Sequence, residues 1–157
     1  MKAFAAAAGA GTIVSVNTSR KKGQVKTPVP SAELVAGKGI AGDAHLGFAH
    51  RQVSLLMIED IEEQRSRLAA GSSVPFEHGA FAENLTTRGI DLGALEVGDE
   101  LLVGGGIRLR VSQIGKECHT KCAVFHLTGD CIMPVRGIFC EVLAGGTVRA
   151  GDTIEKR

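Results

Sequence analysis

From Leu95 to Ile114 the chain spells out a β-hairpin, and this pattern constrains the fold more than any other stretch. Ile107, Leu109 and Val111 alternate with Arg108, Arg110 and Ser112, so one face of the second strand must be buried and the other wetted. Gly104, Gly105 and Gly106 form the turn. They are not a phosphate loop, because no helix follows and no Gly-Lys-Ser/Thr is present. The segment Val97-Gly-Asp-Glu-Leu101 returns near the end as Ala150-Gly-Asp-Thr-Ile154. Residues 136–143 and 147–155 read as a further strand–turn–strand unit. Amphipathic strands entered through the same Gly-Asp turn need their edges hidden, and closing the sheet does this. The expected fold class is mainly β, a closed or partly closed β-barrel with one clear helix and short peripheral helices.

The rest of the chain agrees. The 21 glycines supply many tight turns, and with no Trp and no Tyr the core must be aliphatic, with six Phe as its only large rings. Residues 1–10 read as a flexible N-terminal extension of low-complexity Ala/Gly, and 11–157 as a single domain. Residues 11–17, 24–29 and 52–57 read as strands. Residues 58–70 read as a helix with Ile58, Ile61 and Leu68 on one face. Its acidic residues (Glu59, Asp60, Glu62, Glu63) lie towards the N-terminal end and Arg65 and Arg67 towards the C-terminal end, with Gly71 as the stop. The acidic run reads as a solvated face, not a catalytic pair. Eighteen basic residues against seventeen acidic leave a net charge of +1, which argues against nucleic acid as the partner. No segment approaches the ~20 apolar residues of a membrane span, and the N-terminus is too alanine-rich for a secretory signal. The expectation is a cytoplasmic protein with no membrane partner and reduced cysteines.

Chemistry concentrates in 115–134, which carries three of the four cysteines and two of the five histidines. Cys118, Cys122 and His126 are spaced four apart and would share a helix face, and Cys131 would close a four-ligand zinc set. Against zinc, the usual pair of cysteines two residues apart is absent. The alternative is one reactive thiolate, favoured by Lys116, Lys121 and a nearby His, able to attack sulfur, carry a persulfide or ligate a soft metal such as molybdenum. Cys140 alternates with Ile138 and Val142 and reads as a core side chain. The glycine-punctuated loop 35–51 reads as functional. Asp43, His45 and His50 could ligate a metal there; Asp43 capping a turn is the plainer reading. Ser19 with Lys26 offers a candidate anion site.

Several motifs in series carry a resemblance. Gly39-Ile-Ala-Gly-Asp-Ala-His45, His50-Arg-Gln-Val-Ser-Leu-Leu56, Gly79-Ala-Phe-Ala-Glu-Asn-Leu-Thr-Thr87, Ile114-Gly-Lys-Glu-Cys-His119, Cys122-Ala-Val-Phe125, Gly129-Asp-Cys-Ile-Met-Pro134 and Arg136-Gly-Ile-Phe139 resemble the MOSC domain. That family is named from the C-terminal domain of molybdenum cofactor sulfurase. The resemblance implies a β-barrel that binds the molybdenum cofactor (molybdopterin) or carries sulfur for maturation of metal–sulfur cofactors. The family's Arg-x-Pro-Cys-like motif falls on His119-Thr120-Lys121-Cys122, so the resemblance implies Cys122 as the reactive thiol and metal ligand, with Cys118 as its competitor. It further implies Ser19, Lys26, His45, His50, Arg51, Asn84, His119 and Thr120 as cofactor-binding residues. Some relatives reduce N-hydroxylated compounds with bound molybdenum cofactor. Neither an iron–sulfur nor a flavin motif is present, nor a pyridoxal-phosphate domain. The implied partners are therefore an electron-transfer protein or a desulfurase as sulfur donor, together with the cofactor pathway or its client enzymes. A zinc-stabilised binding module is the non-enzymatic alternative.

Overall fold

The computed structural model describes residues 9–21, 25–47, 51–67, 79, 81–115 and 136–157. The elements in chain order are β1 (Ala10–Thr18), β2 (Thr27–Val29), β3 (Ser31–Val35), β4 (Gly39–Ile40), β5 (Val53–Met57), α1 (Ile58–Arg67), β6 (Leu85–Arg88), a 3-10 turn at Leu92–Ala94, β7 (Glu100–Val103), β8 (Ile107–Ile114), β9 (Ile138–Ala144), β10 (Gly146–Arg149) and β11 (Thr153–Lys156). Seven strands close into a barrel in the order β1-β6-β5-β9-β8-β7-β11, and β11 returns to β1. β2 adds to β1 outside the ring, and β10, β3 and β4 form a small second sheet. Neighbours in the ring are antiparallel except β5 and β6. That parallel pair requires a crossover, which α1 begins directly after β5.

The hairpin has the expected register, with Leu101 opposite Leu109 and Val103 opposite Ile107. Leu101, Val103, Ile107, Leu109 and Val111 are buried in the barrel's apolar cluster, as is Cys140. Each such aliphatic side chain contributes about 1.5–3 kcal/mol on burial. On the other face Arg108 pairs with Glu100 at 2.7 Å and Arg110 with Glu141 at 3.1 Å. The Gly-Asp echo is a repeated turn. Gly98 and Gly151 have φ of 99° and 97°. The following Asp99 and Asp152 each accept a backbone N–H three residues back, from Glu96 at 2.8 Å and Arg149 at 2.9 Å. Such a φ is open to glycine and strained for other residues.

Three expectations differ. Residues 136–143 and 147–155 are not a hairpin: β9 runs between β8 and β5, β10 joins β3, and β11 closes the ring. Glycines 145 and 146 redirect the chain between sheets, and Gly146 sits at φ 154°. The acidic run on α1 is not uniformly solvated. Asp60 is buried and accepts from Arg136 Nε at 3.0 Å, and Glu59 Oε2 accepts the Gly89 amide at 2.8 Å. Linear charge patterning could not reveal these partners, which lie 76 and 30 residues away. β4 is a strand inside the stretch that reads as a loop, and β3 and β6 are strands where the sequence marked no element. β6 is too short and polar (Leu85-Thr-Thr-Arg88) for an alternation signal, and its pairing partners define it.

The strands of one barrel wall are buried on both faces. Ile13, Val16, Val53, Leu55, Leu85, Ile138 and Cys140 belong to the apolar interior. Their alternates Ser15, Asn17, Ser54, Thr86 and Phe139 do not, yet all are buried. The outer face of β1-β6-β5-β9 is therefore covered, and the buried polar groups on it position the site.

Candidate functional site

The site is built on the covered outer face, at the end of β1. Ser19 follows β1, and Lys26 precedes the partner strand β2. The loop after β4 is tied there by the Ala44 amide, which donates to the Ser19 carbonyl at 2.8 Å. This brings Asp43 and His45 against Lys26. The Lys26 ammonium donates to Asp43 Oδ1 at 2.8 Å and to Ser19 Oγ at 3.0 Å, and lies 3.4 Å from His45 Nδ1. The Asp43 carboxylate also accepts the Ser19 amide on Oδ1 and the His45 amide on Oδ2, both at 3.1 Å. Neither the Lys26 nor the Asp43 side chain reaches solvent, whereas the His45 side chain is 16% exposed. Burial alone would raise the Asp43 carboxyl. The contacts with His45 and the Lys26 ammonium more than offset it and hold the group well below the usual carboxylate range.

A second set of polar groups holds Lys26 from behind. Its amide donates to the Gly79 carbonyl at 2.8 Å. Gly79 is pressed so close that a Cβ there would stand 2.2 Å from the Lys26 carbonyl oxygen. The segment from Gly79 turns through Ala82, which has a positive φ of 64°. Glu83, fully buried, fastens the turn: it accepts the Gly79 amide at 3.0 Å, the Phe81 amide at 3.2 Å and the Thr86 hydroxyl at 2.7 Å. Its burial outweighs these bonds and raises its carboxyl above the ordinary glutamate range. Asn17 Nδ2 donates to Thr86 Oγ1 at 3.1 Å, and Ser15 donates to Asn17 Oδ1 at 2.6 Å.

Asn84 belongs to this frame and not to an open surface. It is 0% exposed, its Oδ1 accepts from Ser54 N at 2.9 Å and Ser54 Oγ at 3.2 Å, and its Nδ2 donates to the Asn17 carbonyl at 3.1 Å. It fixes β1 to β5 where β6 begins, and positions neighbours instead of presenting a donor outward.

Arg51 stands apart from the Lys26 cluster, at the entry to β5. Its Nε donates to Gln113 Oε1 at 3.2 Å, and its guanidinium lies 5.6 Å from the centroid of the Phe139 ring. Gln113 Nε2 in turn donates to the Gly115 carbonyl at 2.9 Å. The Gly115 amide donates to the Gly137 carbonyl at 2.7 Å. The half-buried Arg51 has no carboxylate partner among the described residues. Its terminal nitrogens are thus left to another acceptor, beside the two residues between which the cysteine-rich stretch leaves and returns. Arg136 anchors the return to Asp60 on α1.

Of the residues expected at the site, Ser19, Lys26 and His45 come together; Arg51 and Asn84 occupy the neighbouring positions just given. Cys118, Cys122, His119, Thr120 and His50 lie outside the described residues, as do the other residues of the zinc reading, His126 and Cys131. Cys140 is a core thiol pushed far up by burial. The sequence reading gave no positioning role to Glu83 or Gln113, because nothing in their own neighbourhoods announces partners across the sheet. Asp43 was read as a turn cap or a metal ligand; it caps the Ser19 and His45 amides and binds Lys26.

The chain belongs to the MOSC domain family, whose model matches residues 42–155. Members of that family are linked to molybdenum-cofactor binding or sulfur handling. The YuaD protein of Bacillus subtilis has a similar fold, with 20% identity over 94% of this chain and 95% of its own and a TM-score of 0.74. YiiM from Geobacillus stearothermophilus gives 22% identity over 94% of this chain and 75% of its own, with a TM-score of 0.70. YiiM from Escherichia coli gives 21% over 94% and 69%, with a TM-score of 0.69. No curated protein matches the sequence. No described helix is long and apolar enough to cross a membrane.

Proposed function

We propose that this protein binds the molybdenum cofactor, with Cys122 as the thiol ligand to the metal and Arg51 as an anchor for the anionic end of the pterin. The observation that supports it is the state of Arg51. A guanidinium oriented by Gln113 and Phe139, with no acidic partner among the described residues, is prepared for a bidentate oxyanion. It sits at the neck of the stretch that bears Cys118 and Cys122. A persulfide carrier alone would have no use for such a group, so cofactor binding is favoured over sulfur carriage.

The donor set fits a phosphate at Arg51 better than at Lys26. The Lys26 charge is already neutralised by Asp43, and its three donors face Asp43, Ser19 and His45. Lys26 therefore organises Ser19 and His45, which stand at the rim with the exposed Arg20 and Lys21. The bound cofactor would supply a metal centre capable of oxygen-atom or sulfur chemistry. The protein's part is to fix the anionic end, orient the rim donors and present one thiolate. Reduction of N-hydroxylated compounds is a use of the same site that needs an electron-transfer partner; sulfur delivery needs a desulfurase.

The test is expression together with the cofactor pathway, followed by metal analysis and pterin fluorescence. Wild type is expected to carry molybdenum and pterin. Cys122→Ala should lose the metal, and Arg51→Ala should lose most of the pterin. Undiminished retention by both Cys122→Ala and Cys118→Ala would sink thiol ligation, and absence of pterin from wild type would sink the whole reading.

A further inference from the structure

Gln113 departs from the alternation of β8, and the departure brings it to Arg51. Val111 belongs to the barrel interior and stands opposite Cys140, which is also inside. Strict alternation would send Gln113 to that same interior face. The register shifts between Val111 and Gln113, so that Gln113 stands opposite Phe139. The extra residue is a β-bulge, and a bulge re-aims the side chain that follows it. Phe139 lies on the covered outer face, outside the apolar interior. Gln113 therefore arrives on the face that carries the Phe139 ring and the Arg51 guanidinium.

There its amide has one workable orientation. Arg51 Nε–H is a donor and needs the amide oxygen; the Gly115 carbonyl is an acceptor and needs the amide NH2. The two bonds measure 3.2 Å and 2.9 Å. Turning the amide over would set donor against donor and acceptor against acceptor. The Gly115 amide in turn donates to the Gly137 carbonyl at 2.7 Å. One amide plane thus links the Arg51 guanidinium to both ends of the cysteine-bearing stretch. A carboxylate at this position would also accept from Nε. It would, however, cancel the Arg51 charge, and it has no hydrogen for the Gly115 carbonyl. An amide does both jobs and leaves the charge uncompensated.

We infer that Gln113 is a positioning residue for an anion at Arg51: it orients the guanidinium without neutralising it, and it couples anion binding there to the neck of the stretch that bears Cys118 and Cys122. With Nε held by Gln113, the two terminal nitrogens of Arg51 form the fork left for an oxyanion. This deepens the cofactor reading and rests on it for the identity of the anion.

The experiment titrates inorganic phosphate into the nitrogen-labelled protein and follows the Arg51 Nε–H and Gly115 amide signals in proton–nitrogen spectra. In wild type the two signals are expected to move with one midpoint. Gln113→Met removes both bonds but leaves the Arg51 charge, so Arg51 should still respond while Gly115 no longer follows. Gln113→Glu gives Arg51 a carboxylate partner, and phosphate affinity should fall by about tenfold or more, below that of Gln113→Met. A side chain that only supports the fold would rank the two variants by their melting temperatures instead. Phosphate binding by Gln113→Glu as tight as by Gln113→Met would overturn the inference, as would a wild-type Gly115 signal that ignores phosphate or moves with a separate midpoint. Should both variants fail to fold, the wild-type titration still decides. Pterin retention on co-expression separates this inference from the cofactor reading. A coupled phosphate response in a wild type that carries no pterin leaves this inference standing and sinks the cofactor reading. Equal pterin retention by wild type and Gln113→Glu does the reverse.

Discussion

The Lys26 ammonium lies 2.8 Å from Asp43 Oδ1, and neither side chain touches solvent. Such a pair is sensitive to losing one member, because the survivor becomes an uncompensated buried charge. Lys26→Met and Asp43→Asn are each expected to lower stability, Lys26→Met by about 3–5 kcal/mol. The double variant Lys26→Met/Asp43→Asn should cost well under the sum. Urea denaturation of the four proteins measures this. Additive losses would mean that the two groups do not act as a pair.

Two buried carboxyls should shape the pH dependence in opposite senses. The folded-state value of Asp43 lies below that of the unfolded chain, about 3.9, so its contribution is present above that pH and is lost on acidification. Asp43→Asn should therefore flatten the loss of stability below about pH 4. Glu83 is raised. Its contribution is present below the ordinary glutamate value, about 4.3, and is lost as pH rises through the folded value. The stability advantage of wild type over Glu83→Gln should consequently shrink as pH rises above about 4. A widening gap across that range would contradict the assignment.

Gly79 gives a test of the frame behind Lys26. Its φ is 87°, and an added Cβ would meet the Lys26 carbonyl oxygen at 2.2 Å, a backbone atom that cannot swing aside. Gly79→Ala is expected to destabilise by about 2–4 kcal/mol, combining left-handed strain with displacement of β2. Gly105 has open space and an ordinary φ. Gly105→Ala should change stability by no more than about 0.5 kcal/mol. Thermal melts of the two variants side by side separate a local clash from a general glycine effect.

Arg51 is only half-buried and serves one side-chain bond among the described residues, so its removal should affect ligand retention more than folding. Arg51→Lys keeps the charge but loses the planar fork. Pterin retention in both Arg51→Lys and Arg51→Ala is expected to drop by about tenfold or more, on the scale of ~1.5–3 kcal/mol for a charge-assisted bond, with melting temperatures little changed. Full retention by Arg51→Lys would reduce Arg51 to a point charge.

The barrel was legible in the sequence where a strand buries one face and wets the other. Ile107, Leu109 and Val111 alternate against Arg108 and Arg110, and the repeated Gly-Asp turn marks β7 and β11, which pair. Legibility failed on the covered wall. Ser15, Asn17, Ser54, Asn84 and Thr86 are polar yet buried, and bonds such as Asn17–Thr86, Ser54–Asn84 and Asn84–Asn17 join residues 30 to 69 positions apart. A local window cannot find such partners; Asn84, which the resemblance implied as a cofactor contact, is fully buried among them. The loop carrying Asp43 and His45 was recognisable as irregular from its glycines. Its attachment to Lys26 was not, because ion pairing across 17 residues leaves no periodic trace. Arg51 was carried by a motif, and its orientation by Gln113 and Phe139 is a product of the β5-β9-β8 register.

The central claim is that the protein holds a molybdenum cofactor through a thiol in 115–134. The most direct measurement is the element and pterin content of the protein purified from its own host, for wild type and Cys122→Ala. Wild type is predicted to carry molybdenum and pterin in equal amounts, and Cys122→Ala to lose the molybdenum. Wild type with neither molybdenum nor pterin, or with stoichiometric zinc that unfolds the protein on chelation, would contradict the account.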